Sequence, residues 1–343
     1  MTDQAPGPQP ALAGKLQRIV ARHIGGRGEI LSLRRLTGGA TKETWAFTSE
    51  IEGAQRAFIL QLTRAAPAHA ADDPRSGMPR VSGGDETAMM QAGMAAGVPT
   101  PPVRVVLGDD DGLGSGHITD FVEGETIARK ILREPDYAPL RQRFAYQCGE
   151  AVGRLHAIDP KGLPFLVRFD AEPQVAKYKE IYRGYGAPIP ALDVAFSWAE
   201  ANLPRGGEPS VVHGDFRMGN IICGPDGIRA VLDWELACLG DPVADLGWLC
   251  TKTWRFGGPH PVGGVGSRED LIAGYEQASG RTVHRDHLAF WEAWGSVKWG
   301  VMCLLKGQAH RREAAERTVE AFAIGRRMEE PLYDFYDILT GRA

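Results

Sequence analysis

Three side chains in the middle of this chain have types and spacing suited to phosphate chemistry. Asp215 and Asn220 lie in Val211-Val212-His213-Gly214-Asp215-Phe216-Arg217-Met218-Gly219-Asn220, and Asp233 follows in Ala230-Val231-Leu232-Asp233-Trp234-Glu235. Between them, Ile221-Ile222-Cys223, a Gly224-Pro225-Asp226-Gly227 turn and Ile228 to Leu232 read as a β-hairpin. Such a hairpin puts Asn220 and Asp233 at its open end on neighbouring strands, where facing Cα atoms lie roughly 4.5–5.5 Å apart. An amide oxygen and a carboxylate so placed can share one hard cation. Magnesium takes one or two carboxylates along with phosphate oxygens and water, so the pair suits Mg²⁺ on a nucleotide. Asp215 sits in a loop that Gly214 and Gly219 allow to turn, where it can accept a proton from an attacking hydroxyl. His213 is expected to pack and hydrogen-bond that loop rather than to act as acid or base. An Asp-x-x-x-x-Asn spacing followed by a metal aspartate is one arrangement that serves phosphoryl transfer from a nucleotide.

Those residues need a scaffold, and the hydrophobic period supplies one. After a Pro-rich tail, Ala11 to His23 has helical spacing. Glu29 to Leu36, Glu43 to Ser49 and Ala57 to Leu62 alternate as an antiparallel meander, with a glycine-rich turn from Thr37 to Thr41. Ala65 to Gly84 has no apolar period and is expected to be a mobile loop. A helix over Asp85 to Ala96 and strands at Val103 to Leu107 and Gly116 to Phe121 complete this half, and Asp120 to Gly124 makes the crossing to the next. Beyond it the chain turns helical, with Tyr137 to Ile158, Val175 to Tyr185 and Ala191 to Leu203 as the first helices and a β insertion from Ser210 to Asp233. The expected fold is α+β and bilobal: a tail and short helix over 1–28, a β-rich lobe over 29–122, and an α-rich lobe over 123–343.

Composition narrows the function classes. With 43% hydrophobic and 24% charged residues the chain is ordinary globular protein. A net charge of −4 gives no basic stripe for a nucleic acid. Five cysteines without a CxxC pair indicate neither a disulfide framework nor a zinc site, and read as buried small hydrophobes in a reducing compartment. With no signal peptide and no apolar run long enough for a membrane span, a cytoplasmic protein is expected.

The segment resembles the aminoglycoside phosphotransferase and choline kinase-like superfamily, in which a His-Gly-Asp loop replaces the His-Arg-Asp of protein kinases. Leu232-Asp233-Trp234-Glu235, Gly240-Asp241-Pro242 and Asp245-Leu246 are similar to the branch of phosphotransferase modules associated with acyl-CoA dehydrogenases. The resemblance implies a protein-kinase-like fold and Mg-dependent transfer of the γ-phosphoryl group of ATP or GTP to a small-molecule hydroxyl. The acceptor classes it leaves open are aminoglycosides, amino alcohols, sugars and hydroxyacyl groups. It implies Asp215 as base, Asn220 and Asp233 as Mg²⁺ ligands, and Asp245 as a brace for the catalytic loop. By the same likeness, Thr37 to Thr41, with Gly38, Gly39 and Thr41, stands where backbone N–H groups would cover the nucleotide phosphates. Ile59 is a cleft-facing apolar residue, and Glu86 is the expected ion-pair glutamate. One position departs. Gln61 stands where a phosphate-binding lysine or arginine is expected, and Arg64 is the next cation along that strand. Glutamine supplies no charge, and charge stabilisation is the main work of phosphoryl transfer. A nucleotide-binding protein without turnover is therefore the alternative. Elsewhere, His156 is expected in the core, Asp241 as a loop brace or helix cap, and Trp291, Trp294 and Trp299 as core packing, while His310-Arg311-Arg312 reads as a solvated face.

Overall fold

Alternating residues build the amino-terminal sheet, and one of its faces carries nearly all the large apolar side chains. The computed structural model describes residues 9–36, 42–63, 74–204, 207–308 and 319–342. The turn with Gly38, Gly39 and Thr41, together with Arg64 and His310-Arg311-Arg312, lies outside these residues. Strands β1 (Ile30–Arg35), β2 (Lys42–Ile51), β3 (Ala54–Thr63), β4 (Val103–Val106) and β5 (Gly116–Asp120) form an antiparallel sheet in the order β1-β2-β3-β5-β4. Trp45, Phe47, Phe58, Leu60 and Ile118 are buried on one face beneath helix α1 (Gln9–His23), which contributes Leu16, Ile19 and Val20. The Phe47 and Phe58 rings stack at 5.3 Å, and full burial of such a side chain contributes about 1.5–3 kcal/mol.

Period two sends the intervening residues to the opposite face. The β2–β3 register pairs Thr44 with Gln61 and Lys42 with Thr63, and β3–β5 pairs Gln61 with His117 and Ile59 with Thr119. Lys42, Thr44, Ile59, Gln61, His117 and Thr119 therefore share the face opposite α1, which looks into the cleft. Strand β2 starts at Lys42, one residue earlier than apolar alternation alone indicates, so this lysine belongs to the sheet and not to the preceding turn.

Helix α2 (Gly84–Ala95) lies on the cleft-face side of the sheet, where its Glu86 reaches Lys42. A Cβ on its Gly93 would lie 2.8 Å from the Trp234 ring, so the glycine lets the helix sit directly on the segment that follows Asp233. The described part of the preceding loop is not free-running as the sequence suggests. Val81 is buried, and its N–H donates to the Glu235 carbonyl at 2.7 Å. After β5 the chain enters the larger lobe, and Glu125 and Cys223 exchange two backbone hydrogen bonds of 2.9 Å. That lobe contains α3 (Ala128–Arg133), α4 (Ala138–His156), α5 (Ala171–Arg183), α6 (Pro190–Ala201), β6 (Ser210–Val212), β7 (Ile221–Gly224), β8 (Gly227–Val231) and β9 (Cys238–Gly240). Helices α7 (Val243–Cys250), α8 (Arg268–Ser279), α9 (Arg285–Gln308), α10 (Val319–Gly325) and α11 (Glu329–Leu339) close it. A small antiparallel lobe followed by a helical one is the α+β, bilobal arrangement expected from the sequence. Trp291 and Trp294 are buried in the helical core, as are all five free cysteines in their surroundings. No helix among the described residues is long and apolar enough to cross a membrane.

His117 gives the small lobe a pH signature. Burial, with the Lys42 charge adding to it, lowers its pKa from 6.5 to about 4. The unfolded chain therefore binds the proton first, and stability falls as pH drops from about 6.5 toward about 4. Thermal unfolding across that window is expected to show a loss of up to about 3 kcal/mol at the acid end. His117→Gln should flatten the dependence; an unchanged slope would contradict a buried neutral imidazole.

Candidate active site

Strand β6 delivers the chain to His213, and one carboxylate then fixes the turn that follows. Asp245, in the first turn of α7 and almost wholly buried, accepts the His213 N–H at 2.7 Å and the Gly214 N–H at 2.9 Å. Its Oδ2 also meets His156 Nε2 at 3.1 Å, and His156 Nδ1 lies 3.2 Å from the Tyr275 hydroxyl. Burial works to raise the Asp245 pKa, but the His156 partner and the backbone donors outweigh it and hold the carboxyl below its ordinary value. Gly214 turns with a φ of 80°, and a Cβ there would collide with the Leu236 carbonyl, so no other residue fits without displacing that segment. His213 has no exposed surface. Its Nδ1 accepts the Asp215 N–H at 3.2 Å, which leaves the Nε2–H to donate to the Leu232 carbonyl at 3.0 Å. The imidazole thus joins the Asp215 loop to the end of β8, with both nitrogens occupied.

The Asp215 carboxylate is held by three donors. The Trp248 indole N–H reaches Oδ1 at 2.7 Å, the Asn220 amide reaches Oδ2 at 2.7 Å, and Arg217 Nε lies 3.2 Å from Oδ1. Asn220 Nδ2 also donates to the Asp215 carbonyl at 3.0 Å, closing the loop on itself. The Arg217 guanidinium stacks over the Trp254 ring at 4.5 Å, and Trp254 packs edge-on against Trp248 and Trp299. Trp248 and Arg217 are functional candidates that spacing did not bring out. A signal for Trp248 was present, since it lies three residues after Asp245 on the same helix and shares its face.

The hairpin register corrects one expectation. Strands β7 and β8 pair Ile221 with Val231, and the Leu232 N–H donates to the Asn220 carbonyl at 2.8 Å. Leu232, not Asp233, therefore stands opposite Asn220. Asp233 follows one residue beyond with a left-handed φ of 65°, which turns it out of the ladder. Its side chain is 40% exposed, so an oxygen can be offered to a ligand.

Opposite Asp233 stands the cation that the sequence did not assign. The Lys42 ammonium meets Glu86 Oε1 at 2.5 Å, Asp233 Oδ1 at 3.1 Å and Glu235 Oε2 at 3.8 Å. Lys42 and Glu86 are both buried. Burial disfavours the ammonium, yet the three carboxylates outweigh it and hold the lysine pKa above its ordinary value. Glu86 thus has an ion-pair partner from β2, whereas a partner from β3 was expected. Gln61 and Ile59 lie on the same sheet face. Asp241, at the other end of the site, accepts the Val243 N–H at 2.9 Å and pairs with His287 at 2.6 Å, so it caps α7 and does not brace the loop. Beside Gly214 is an open crevice of ≈ 590 Å³ lined by residues including Met78, Tyr178, Leu236, Trp248, Trp294 and Lys298.

Comparison with known proteins places this geometry in context. A model of the phosphotransferase enzyme family matches residues 32–291. Mouse acyl-CoA dehydrogenase family member 10 is 30% identical over 256 residues, which are 71% of this chain and 22% of that protein. The chain spans from 22% to 35% of the length of the first curated relatives it matches. Among solved structures, a candidate aminoglycoside phosphotransferase from Ralstonia eutropha superposes with a TM-score of 0.71 at 20% identity, covering 96% of this chain and 98% of that one. Spectinomycin phosphotransferase with ADP and spectinomycin gives a TM-score of 0.59 at 14% identity, covering 94% and 98%. These structural likenesses show the fold.

Trp248→Phe keeps an aromatic ring and removes the N–H that orients Asp215. Loss of one hydrogen bond to a charged group is expected to lower kcat about 10- to 100-fold, with the KM for nucleotide unchanged. Steady-state kinetics checks this, and full activity in the variant would contradict a positioning role for the indole.

Proposed function

The chain belongs to the phosphotransferase enzyme family, and on that premise we propose that it transfers the γ-phosphoryl group of Mg-ATP, or of Mg-GTP, to a hydroxyl of a small molecule. The observation that carries this reading is the Asp215 carboxylate, fixed by Trp248, Asn220 and Arg217 on the loop that leads into the hairpin, at whose far end Asp233 meets the Lys42–Glu86 pair. Asp215 would orient the acceptor hydroxyl and take its proton as the oxygen attacks, so that chemistry is mostly positioning. Asn220 and Asp233 are oxygen donors of the kind Mg²⁺ takes, at adjacent ends of one hairpin, and suit a cation that arrives on phosphate. When bound there, the metal would neutralise charge on the phosphates. His213 and Asp245 keep the loop in register through their backbone contacts and are not placed to reach substrate.

Two features bear on alternatives. A protein that bound nucleotide without turnover would have no use for a base held by three donors, and Glu86 is not left without a cation. The crevice beside Gly214 is lined by aromatic rings and one ammonium, and its carboxylate, Asp245, is already bonded to backbone and His156. That lining suits an uncharged or anionic acceptor better than a polycation, which needs several free carboxylates.

Asp215→Asn is the direct test. It should retain nucleotide binding and lose turnover by about 10²- to 10⁴-fold, measured by mass detection of phosphorylated product from a panel of aminoglycosides, amino alcohols, sugars and hydroxyacyl thioesters. Undiminished turnover would remove Asp215 from the mechanism.

A further inference from the structure

We infer that Lys42 supplies the phosphate-binding charge of the nucleotide site, from β2, in place of the β3 position occupied by Gln61; the inference rests on the phosphoryl-transfer reading above. Thr44 pairs with Gln61 and Lys42 with Thr63, so Lys42 and Gln61 are diagonal neighbours across adjacent strands, on one face. Diagonal neighbours in an antiparallel pair lie roughly 7–8 Å apart, within reach of a long side chain. An ammonium on the four-carbon stem of Lys42 can therefore occupy the space that a cation at position 61 would fill. Glutamine at position 61 leaves that space without a second positive charge that would repel it.

The contacts around Lys42 fit a phosphate ligand better than a purely structural ion pair. Glu86 on α2 and Asp233 after β8 approach it from opposite lobes, at 2.5 Å and 3.1 Å. An ammonium has three N–H donors. The bond to Glu86 holds the stem in place, and the one directed at Asp233 points to the carboxylate expected beside the phosphates. That donor can pass from Asp233 to a phosphate oxygen while the Glu86 bond persists. No chemical bond changes, and the lysine stays charged. His117, beside Lys42 on this sheet face, is buried and holds no charge near neutral pH, and Arg34, on the same face of edge strand β1, is exposed, so Lys42 is the buried positive charge among the described residues of that face.

Calorimetric titration of the full chain with adenosine and with Mg-ADP separates phosphate recognition from general packing. Lys42→Met is expected to bind adenosine within about twofold of wild type and to lose about 10- to 100-fold in affinity for Mg-ADP. The double variant Lys42→Gln with Gln61→Lys should recover at least about tenfold of that loss, because it returns the charge to the same space. Equal Mg-ADP affinity in Lys42→Met, or no recovery in the double variant, would overturn the inference. If Lys42→Met does not fold, the Lys42 ¹⁵Nζ resonance of the wild type, assigned by its loss in Lys42→Arg, gives the answer. It should shift on adding Mg-ADP but not adenosine, and an unmoved resonance overturns the inference equally. Wild-type protein that bound neither ligand would defeat the phosphoryl-transfer reading itself, a result distinct from the failure of Lys42 alone.

Discussion

The Lys42 ammonium lies among carboxylates contributed by α2 and by the segment after β8, so the small lobe and the β7–β8 hairpin are tied through one buried charge. Removing one member of a buried ion pair costs about 3–5 kcal/mol, whereas a well-packed apolar replacement of the whole cluster can be neutral. Stability alone therefore gives little reason for the cluster. Its effect is positional: it sets α2, Asp233 and the cleft face of the sheet at fixed distances from one another. Gly93 beneath Trp234, and the Val81 N–H on the Glu235 carbonyl, hold the same surfaces together by packing and backbone bonding.

A second centre, Asp245, does for the His213–Asp215 loop what Lys42 does for the lobes. It accepts two consecutive backbone N–H groups and pairs with His156 inside the core. The loop needs this because Gly214 adopts a conformation with a positive φ that few residues share. Trp248, on the same helix as Asp245, then fixes the carboxylate of Asp215. One short helix thus determines both where the loop runs and which way its aspartate points. Lys298 adds to this from α9, with its ammonium 4.1 Å from the Trp248 ring and 3.3 Å from the Gly214 carbonyl.

The meander, the hairpin and the helical second half were legible because alternation and turn residues set them locally. Asp215, Asn220 and Asp233 could be picked out because their spacing is itself the signal. Lys42 could not, for a specific reason. Apolar alternation starts β2 at Glu43 and leaves Lys42 between the turn and the strand, while its meaning depends on a strand register and on the partner's face. The two-residue Glu52-Gly53 turn fixes that register, since Ile51 pairs with Ala54 and every later pair follows. Extending β2 by one residue would have set Lys42 diagonal to Gln61. The position of Asp233 was off by one residue for a related cause: the bulge between Ile222 and Cys223 brings Leu232 opposite Asn220, where an unbulged ladder would put Val231, and the left-handed φ at Asp233 then turns that residue out of the ladder, a backbone event with no signature in residue type. His156 could be recognised as a core residue, but its pairing with Asp245 joins segments far apart in the chain.

The most direct measurement is a crystal structure of the protein with a non-hydrolysable ATP analogue and Mn²⁺ in place of Mg²⁺, with anomalous scattering to locate the metal. The expected result is a metal peak within coordinating distance of Asn220 and Asp233, the γ-phosphoryl group directed at Asp215, and Lys42 Nζ in hydrogen-bond contact with a phosphate oxygen while still bonded to Glu86. Phosphates lying away from Asp215, or a metal held by other residues, would contradict phosphoryl transfer at this site.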